Sequence, residues 1–332
     1  MTPPLRSGRE ARDAGPAPRA ARAHGKAVLF GEHAVVYGAP AVAVPLPALA
    51  ATASATLRAS GPPSRIESAL YAGPAEGAPA PLSPVVEAIR AALDLVGAPA
   101  AHVSIRSDVP VGRGLGSSAA VAAAVVQAVA GAVGRALDPE ERHGLIQVAE
   151  RAAHGTPSGL DARAVVAAGP IRFHAGLAAP LALGAPLTLV IADSGAPGST
   201  AEAVAGVRAM RDARPHTAGT LIDRLGSLAK GSTEDLASGD LDALGARMTD
   251  AHGLLRLLDV STDALDALVG AAARAGALGA KLTGGGLGGC VVALAASPAE
   301  AEEIAGSLAA AGARQVWTMT QQATTSIPEA TR

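Results

Sequence analysis

The chain is expected to fold as an α+β protein of two domains, and three features predict this. A glycine-rich loop, Pro110-Val-Gly-Arg-Gly-Leu-Gly-Ser-Ser-Ala-Ala120, lies between a strand-like run, Val103 to Ser107, and an uncharged Ala/Val segment reaching Gly134. After the apolar run Leu187 to Asp193 the pattern turns to long amphipathic helical segments, from Ser199 to about Ala273. The last section, from Gly279, reads strand, glycine turn, strand, helix, strand, the order of a ferredoxin-like layer of helices on an antiparallel sheet. The boundary is placed near residue 190, giving domains 23–190 and 191–332 behind a tail of residues 1–22.

Composition narrows the function classes. The 332 residues are 49% hydrophobic but only 2% aromatic, so the core must be built from Ala, Val and Leu. A net charge of −2 gives no basic surface for nucleic acid, and a small-molecule partner is expected instead. Cys290 is the only cysteine, which rules out an intramolecular disulfide and a cysteine-built metal site and fits a reducing cytoplasm. No charge occurs between Arg113 and Arg135, a membrane-crossing length, but the stretch holds Ser117, Ser118, Gln127 and several glycines, and alanine faces lipid poorly. A buried helix is the expectation. The tail, Met1 to about Arg22, has no apolar run for a secretory signal and is read as disordered.

In chain order, Ala27 to Phe30 and Ala34 to Tyr37 read as strands around a turn holding Glu32 and His33. Ala41 to Val44 and Ala51 to Arg58 read as two further strands, followed by a Pro/Gly-rich connection from Gly61 to Pro81. Val85, Ile89 and Leu93 mark a helix over Pro84 to Leu95. Pro139 opens another that ends near Ala153, and a short helix is expected over Ala162 to Ala168, then a strand from Ile171 to His174. Pro215 and Gly231 are read as interruptions of the long helical region. Helix Pro298 to Ala310 and strand Gln315 to Thr320 complete the second domain.

The loop carries the first chemical signal. Gly112, Gly114 and Gly116 allow positive φ and leave amides uncovered, and Ser117 or Ser118 is expected to cap a helix starting at Ala119. Convergent amides at a helix N-terminus suit phosphate, although a purely structural turn fits the same residues. A Walker A reading fails for want of Gly-Lys-Ser/Thr, and Gly284, Gly286 and Gly289 meet the dinucleotide spacing but precede a strand rather than a helix. Lys26, Lys230 and Lys281 are the only lysines, and two of them adjoin glycine-rich turns. A point-like ammonium suits a site that neutralises charge at one spot, whereas the alternative is a surface lysine at a strand end, with Lys281 the more exposed of the two. Asp161 stands at capping-box spacing from Ser158, and Glu150 could be a solvated helix face. Yet phosphoryl transfer needs amides for phosphates, a hydroxyl and a carboxylate for Mg²⁺, a base for the acceptor alcohol and a cation, and Ser118, Glu150, Asp161 and Lys26 supply that set. His33, His154 and His252 show no metal-ligand spacing and are expected to form hydrogen bonds or pack in the core.

Several separated segments then agree on one family. GKAVLFGEHAVVYG, PVGRGLGSSAA and KLTGGGLGGC resemble the three motifs of the GHMP kinase superfamily, and the run from Glu150 through HGTPSGLD, with DSGAPGSTAEAV from Asp193, resembles its mevalonate kinase branch. The resemblance implies an N-terminal mixed α/β domain like domain 2 of ribosomal protein S5, a ferredoxin-like C-terminal domain, and an active site in the cleft between them. It implies ATP and Mg²⁺ as cofactors and mevalonate as acceptor, with no nucleic-acid or membrane partner and a possible homodimer. Residue by residue it implies Asp161 as catalytic acid/base and Lys26 as the activating cation. Ser118 and Glu150 would bind Mg²⁺, Ser107 and Gly112, Arg113, Gly114, Leu115, Gly116, Ser117 and Ser118 the nucleotide, and Glu32 and His33 the acceptor. Another GHMP small-molecule kinase or a non-catalytic nucleotide-binding regulator are the alternatives. His24 in place of a proline, Arg113 in place of a small residue and Leu287 within the last glycine run depart from the family pattern. Arg113 would either obstruct nucleotide or add a phosphate contact.

Overall fold

The computed structural model describes residues 20–60 and 63–324. Most of the expected disordered tail lies outside these residues, but its last two, Ala21 and Arg22, already belong to the first strand. Two antiparallel-dominated sheets organise the chain. The first has the order β4-β3-β5-β2-β6-β7, with β1 (Ala21–Phe30) also paired to β2 (Ala41–Arg58). Its other strands are β3 (Arg65–Glu67), β4 (Ala72–Pro74), β5 (Ala100–Ser107), β6 (Ile171–His174) and β7 (Leu177–Pro180). Only the β3–β5 pairing is parallel. The helices α1 (Ser83–Val96), α2 (Ser117–Ala132), α3 (Pro139–His154) and α4 (Leu160–Ala164) belong to this half.

Helix α2 is the uncharged segment that composition singled out, and it is the core of that half. Ten of its residues, from Ala119 to Ala130, are buried. It is packed by α1, α3, β1 and β2, and small alanine side chains let all four come close. None of the helices among the described residues is long and apolar enough to cross a membrane.

The second sheet is fully antiparallel, in the order β11-β8-β10-β9. Its strands are β8 (Leu187–Asp193), β9 (Gly279–Thr283), β10 (Cys290–Ala295) and β11 (Gln315–Gln321), accompanied by α5 (Thr200–Ala213), α6 (Pro215–Ser238), α7 (Leu241–Leu257), α8 (Asp263–Arg274) and α9 (Pro298–Ala310). A division at residue 190 runs through β8, all of whose residues pair with β10 or β11. By sheet membership the chain divides before Leu187.

Local differences from the sequence expectation have local causes. Ala34–Tyr37 is a 3-10 turn rather than a strand, because Gly31, His33 and Gly38 at φ 93°, 61° and 86° coil the chain there. The two strands expected between Ala41 and Arg58 are one, since Pro45 and Pro47 fall where the β1 ladder shifts register between His24 and Gly25. Gly231 does not interrupt α6; the Arg247 guanidinium lies against it, and the helix ends at Gly239 in the left-handed conformation. The short helix expected over Ala162 to Ala168 begins and ends earlier. The brief strands β3, β4 and β7 had no periodic signal to reveal them.

The halves share one continuous hydrophobic core. Across them Val28 N–H donates to Thr283 Oγ1 at 2.8 Å, and the Thr283 hydroxyl donates back to Val28 O at 3.0 Å. This places the end of β9 against β1, where the candidate site lies.

Candidate active site

The loop between β5 and α2 is shaped by Gly112, Gly114 and Gly116 at φ 69°, 77° and 73°. Gly116, not a serine, occupies the N-cap of α2, and the helix starts at Ser117 rather than Ala119. Neither serine caps it. Ser117 Oγ donates to Val109 O at 3.1 Å, and Ser118 Oγ donates to Glu150 Oε1 at 2.6 Å. The first intrahelical bond is Ala120 N–H to Gly116 O. The first-turn amides therefore keep their donors, and the helix dipole adds positive potential at the same place. Ser107 is exposed at the end of β5, and its hydroxyl accepts from Val109 N–H, holding the entry to the loop. Leu115 is buried and its carbonyl accepts from Lys26 N–H at 2.9 Å, which ties the loop to β1. A Cβ on Gly116 would stand 3.0 Å from Lys26 Cγ, so the passage of that lysine also requires a glycine there.

Lys26 rises from β1 beneath the loop with its side chain 4% exposed. Its Nζ donates to Gly114 O at 3.0 Å and stands 3.1 Å from Asp161 Oδ1. The surface-lysine alternative is thereby removed for Lys26. Asp161 is not a helix cap either, because Gly159 at φ 92° takes that position and no side chain caps α4. Glu150, on the last turn of α3, is buried rather than solvated. Burial, and then the negative charge of Asp161, push its carboxyl up to about 7, against the Ser118 hydrogen bond and the Lys26 charge. His154 Nε2 is 3.9 Å from Glu150 Oε2, beyond a hydrogen bond, and burial pushes that imidazole below its usual range, so the contact is not a formed ion pair at neutral pH.

The turn after β1 buries Glu32 and His33 against the end of β9 and the glycine run that follows it. His33 Nε2 lies 2.9 Å from Gly285 O, and burial lowers its pKa to about 4, so the ring is neutral with Nε2–H donating and Nδ1 free to accept. That Nδ1 and Glu32 Oε2 are both buried without a partner among the described residues. Glu32 Oε1 accepts from Lys281 Nζ, which also donates to Leu282 O at 2.7 Å. Lys281, expected to be exposed, is fully buried. Its position inside the apolar strand Gly279–Thr283 was the available signal, since every residue of that strand is covered.

Arg113 reaches from the loop to the second sheet and the turn beyond it. Its Nε stands 3.1 Å from Asp193 Oδ2 and its Nη2 donates to Gly195 O at 3.1 Å. Its guanidinium is thus engaged by the turn that follows β8. The partner, Asp193, carried no signal as a site residue because it closes a buried strand. His252 accepts from Leu282 N–H and pairs with Asp266, in the hydrogen-bonding role expected for it. Among the described residues no group of three or more His, Cys, Asp or Glu is arranged to hold a metal. A cation here would depend on the Ser118 hydroxyl and one or two carboxylates.

Comparison with known proteins agrees with this geometry. The GHMP kinases N terminal domain matches residues 83–169, and the GHMP kinases C terminal domain matches residues 232–314. A mevalonate kinase of Thermococcus gammatolerans is 42% identical over 216 residues, a match covering 63% of this chain and 64% of that protein's length. A mevalonate kinase of Aeropyrum pernix is 34% identical over 292 residues, covering 83% of this chain and 89% of that protein. The crystal structure of L. major mevalonate kinase in complex with R-mevalonate superposes with a TM-score of 0.81 at 29% identity, covering 93% of this chain and 98% of that one. The chain belongs to the GHMP kinase family, in the branch formed by the mevalonate kinases.

Proposed function

We propose that the protein transfers the γ-phosphoryl group of MgATP to the 5-hydroxyl of mevalonate. The observation that carries this reading is the convergence of Lys26, Asp161, Glu150 and Ser118 under the free N-terminus of α2, in a chain whose relatives bear the name mevalonate kinase. The donor set fits a hard divalent cation. A hydroxyl and a carboxylate, oxygen donors of the kind such a cation takes, meet at 2.6 Å, and the Asp161 carboxylate adds negative charge beside them. Ser118 and Glu150 would hold that cation. MgATP, when bound, supplies the phosphoryl group and screens its charge.

The chain's own residues do the rest. Asp161, 32% exposed beside Lys26, takes the proton of the acceptor hydroxyl. Lys26, held between Gly114 O and Asp161, keeps positive charge beside the oxygen that loses it. The amides of Gly114 to Ala119 receive phosphate oxygens, and Glu32 Oε2 with His33 Nδ1 offers two buried acceptors to acceptor hydroxyls. A cytoplasmic setting belongs to the same reading and rests on the lone buried Cys290. A homodimer rests on the family resemblance alone.

The test is ADP release from purified protein with a panel of mevalonate, phosphomevalonate, homoserine and galactose. Turnover with mevalonate well above the others is expected. Turnover confined to another alcohol would replace the acceptor while keeping the chemistry, and ATP binding without turnover on any of them would refute a kinase.

A further inference from the structure

We propose that Arg113 is a positioning residue, a strut across the domain junction that holds the phosphate loop in its nucleotide-accepting shape by anchoring it on Asp193 and Gly195. The proposal rests on the loop's reading as the phosphate site, not on the identity of the acceptor.

Three chain segments that are far apart in sequence meet at this point. Gly198 N–H donates to Gly112 O at 2.9 Å, Gly289 N–H donates to Ala196 O at 2.9 Å, and Ser194 N–H donates to Gly289 O at 2.9 Å. The loop, the turn after β8 and the glycine run before β10 are thus stitched by backbone. Arg113 is the side chain that joins the stitch from the loop side. Its Nε–Asp193 Oδ2 contact of 3.1 Å and its Nη2 bond to Gly195 O are made with the side chain 11% exposed and Asp193 3% exposed. Among the described residues Nη1 has no partner, and the contacts that hold the side chain are those of Nε and Nη2. Asp193 is itself fixed: its Oδ1 accepts from Gly195 N–H at 2.8 Å and its carbonyl accepts from Arg314 N–H at 2.8 Å. A rigid fork bound to a fixed carboxylate and a carbonyl transmits orientation, which a flexible ammonium does not.

The loop has reason to need such a strut. Three glycines at positive φ give it wide conformational freedom before ligand arrives, and the cost of ordering it would be taken from nucleotide affinity. Backbone contact with the second domain is already tight at this seam, because a Cβ on Gly289 would stand 2.8 Å from Arg113 O. The Arg113 side chain adds a directional anchor at the same seam.

The experiment is calorimetric ATP binding, with amide hydrogen exchange of residues 112–118 in the free protein, for Arg113→Ala, Arg113→Lys, Asp193→Asn and the Arg113→Ala/Asp193→Asn double variant. Arg113→Ala is expected to weaken ATP by about tenfold and to accelerate exchange of the loop amides, while the KM for the acceptor stays near wild type. Asp193→Asn keeps the bond to Gly195 N–H, removes the charge, and is expected to show a similar loss. The double variant is expected to lose little more than either alone, the mark of one shared interaction. Arg113→Lys keeps the charge but not the fork, and is expected to fall between; it also serves if Arg113→Ala does not fold. ATP affinity and loop exchange within about twofold of wild type in a folded Arg113→Lys and Asp193→Asn would overturn the proposal, whatever their thermal stability. Failure of the acceptor assignment would show instead as unchanged ATP binding trends with no mevalonate turnover.

Discussion

Lys281 and Glu32 form an ion pair buried at 0% and 1% exposure, joining the edge strand β9 of one sheet to the turn that follows the first strand of the other. Burial pushes the Glu32 carboxyl up and the Lys281 ammonium down, and their mutual attraction opposes both. Removing one member leaves a buried group without compensation. Lys281→Met is therefore expected to cost about 3–5 kcal/mol, read from urea unfolding. Lys281→Met with Glu32→Leu is expected to recover most of that loss, because an apolar pair of similar volume avoids desolvating charge. It is not expected to recover turnover, since Glu32 Oε2, proposed above to receive an acceptor hydroxyl, is also gone. Full activity in the double variant would make the pair purely architectural.

Glu150 gives the free enzyme a distinctive response to pH. Its carboxyl is raised from an ordinary 4.5 to about 7, by burial first and Asp161 second, so between those values the folded chain holds a proton that the unfolded chain has released. Linkage then requires this group's contribution to stability to fall as pH rises through that window, and to be flat above it. Urea midpoints compared at about pH 5 and about pH 8 for wild type and Glu150→Gln check this. The lowered pKa values of His33 and His154 add slope of the opposite sign in both proteins, so the two profiles are compared. Relative to the variant, which still accepts from Ser118, wild type is expected to lose stability from about pH 5 to about pH 8. Parallel profiles would mean that Glu150 ionises normally.

Much of the site was legible because its parts are local. The loop glycines, Ser118 and Asp161 sit in short segments whose residue types restrict their own backbone and chemistry, and the fold brings them to Lys26. What sequence could not supply was which element would cover a given side chain. Lys281 in Gly279–Thr283 shows a charge in an apolar strand, but its partner lies 249 positions away and only the docking of β9 on β1 makes it buried. Arg113 and Asp193 are likewise separated by the domain division. The turn at Ala34–Tyr37 escaped because an apolar run of four says nothing of the positive φ at His33. The unity of β2 escaped because a proline can sit at a register shift as well as at a strand end.

Cys290 is expected to be chemically silent. It is fully buried at the start of β10, opposite Asp193, and burial followed by that negative charge pushes its thiol up. Thiolate is the reactive form, so modification by a disulfide reagent such as dithionitrobenzoate should await unfolding. Labelling at the rate of a free thiol in the native protein would place Cys290 in a segment that opens readily.

Asp161 and Lys26 bear the most direct prediction of the proposed chemistry. Asp161→Asn keeps the size of the side chain and a contact to the Lys26 ammonium through its carbonyl oxygen, but it cannot accept the acceptor's proton. The loop amides, Ser118 and Glu150 are untouched, so ATP affinity is expected to stay near wild type or improve slightly as negative charge leaves the cleft. Turnover is expected to fall by on the order of 10²- to 10³-fold or more, the scale of losing one preorganised catalytic contact. Lys26→Met removes charge from the same point and is expected to lower turnover by a similar factor while also freeing Gly114 O, the carbonyl its Nζ holds at 3.0 Å. The two variants thus differ in loop exchange, faster in Lys26→Met and unchanged in Asp161→Asn. Near wild-type turnover in Asp161→Asn, measured by ADP release, would remove Asp161 from the base role and leave the pair 3.1 Å apart as a structural contact.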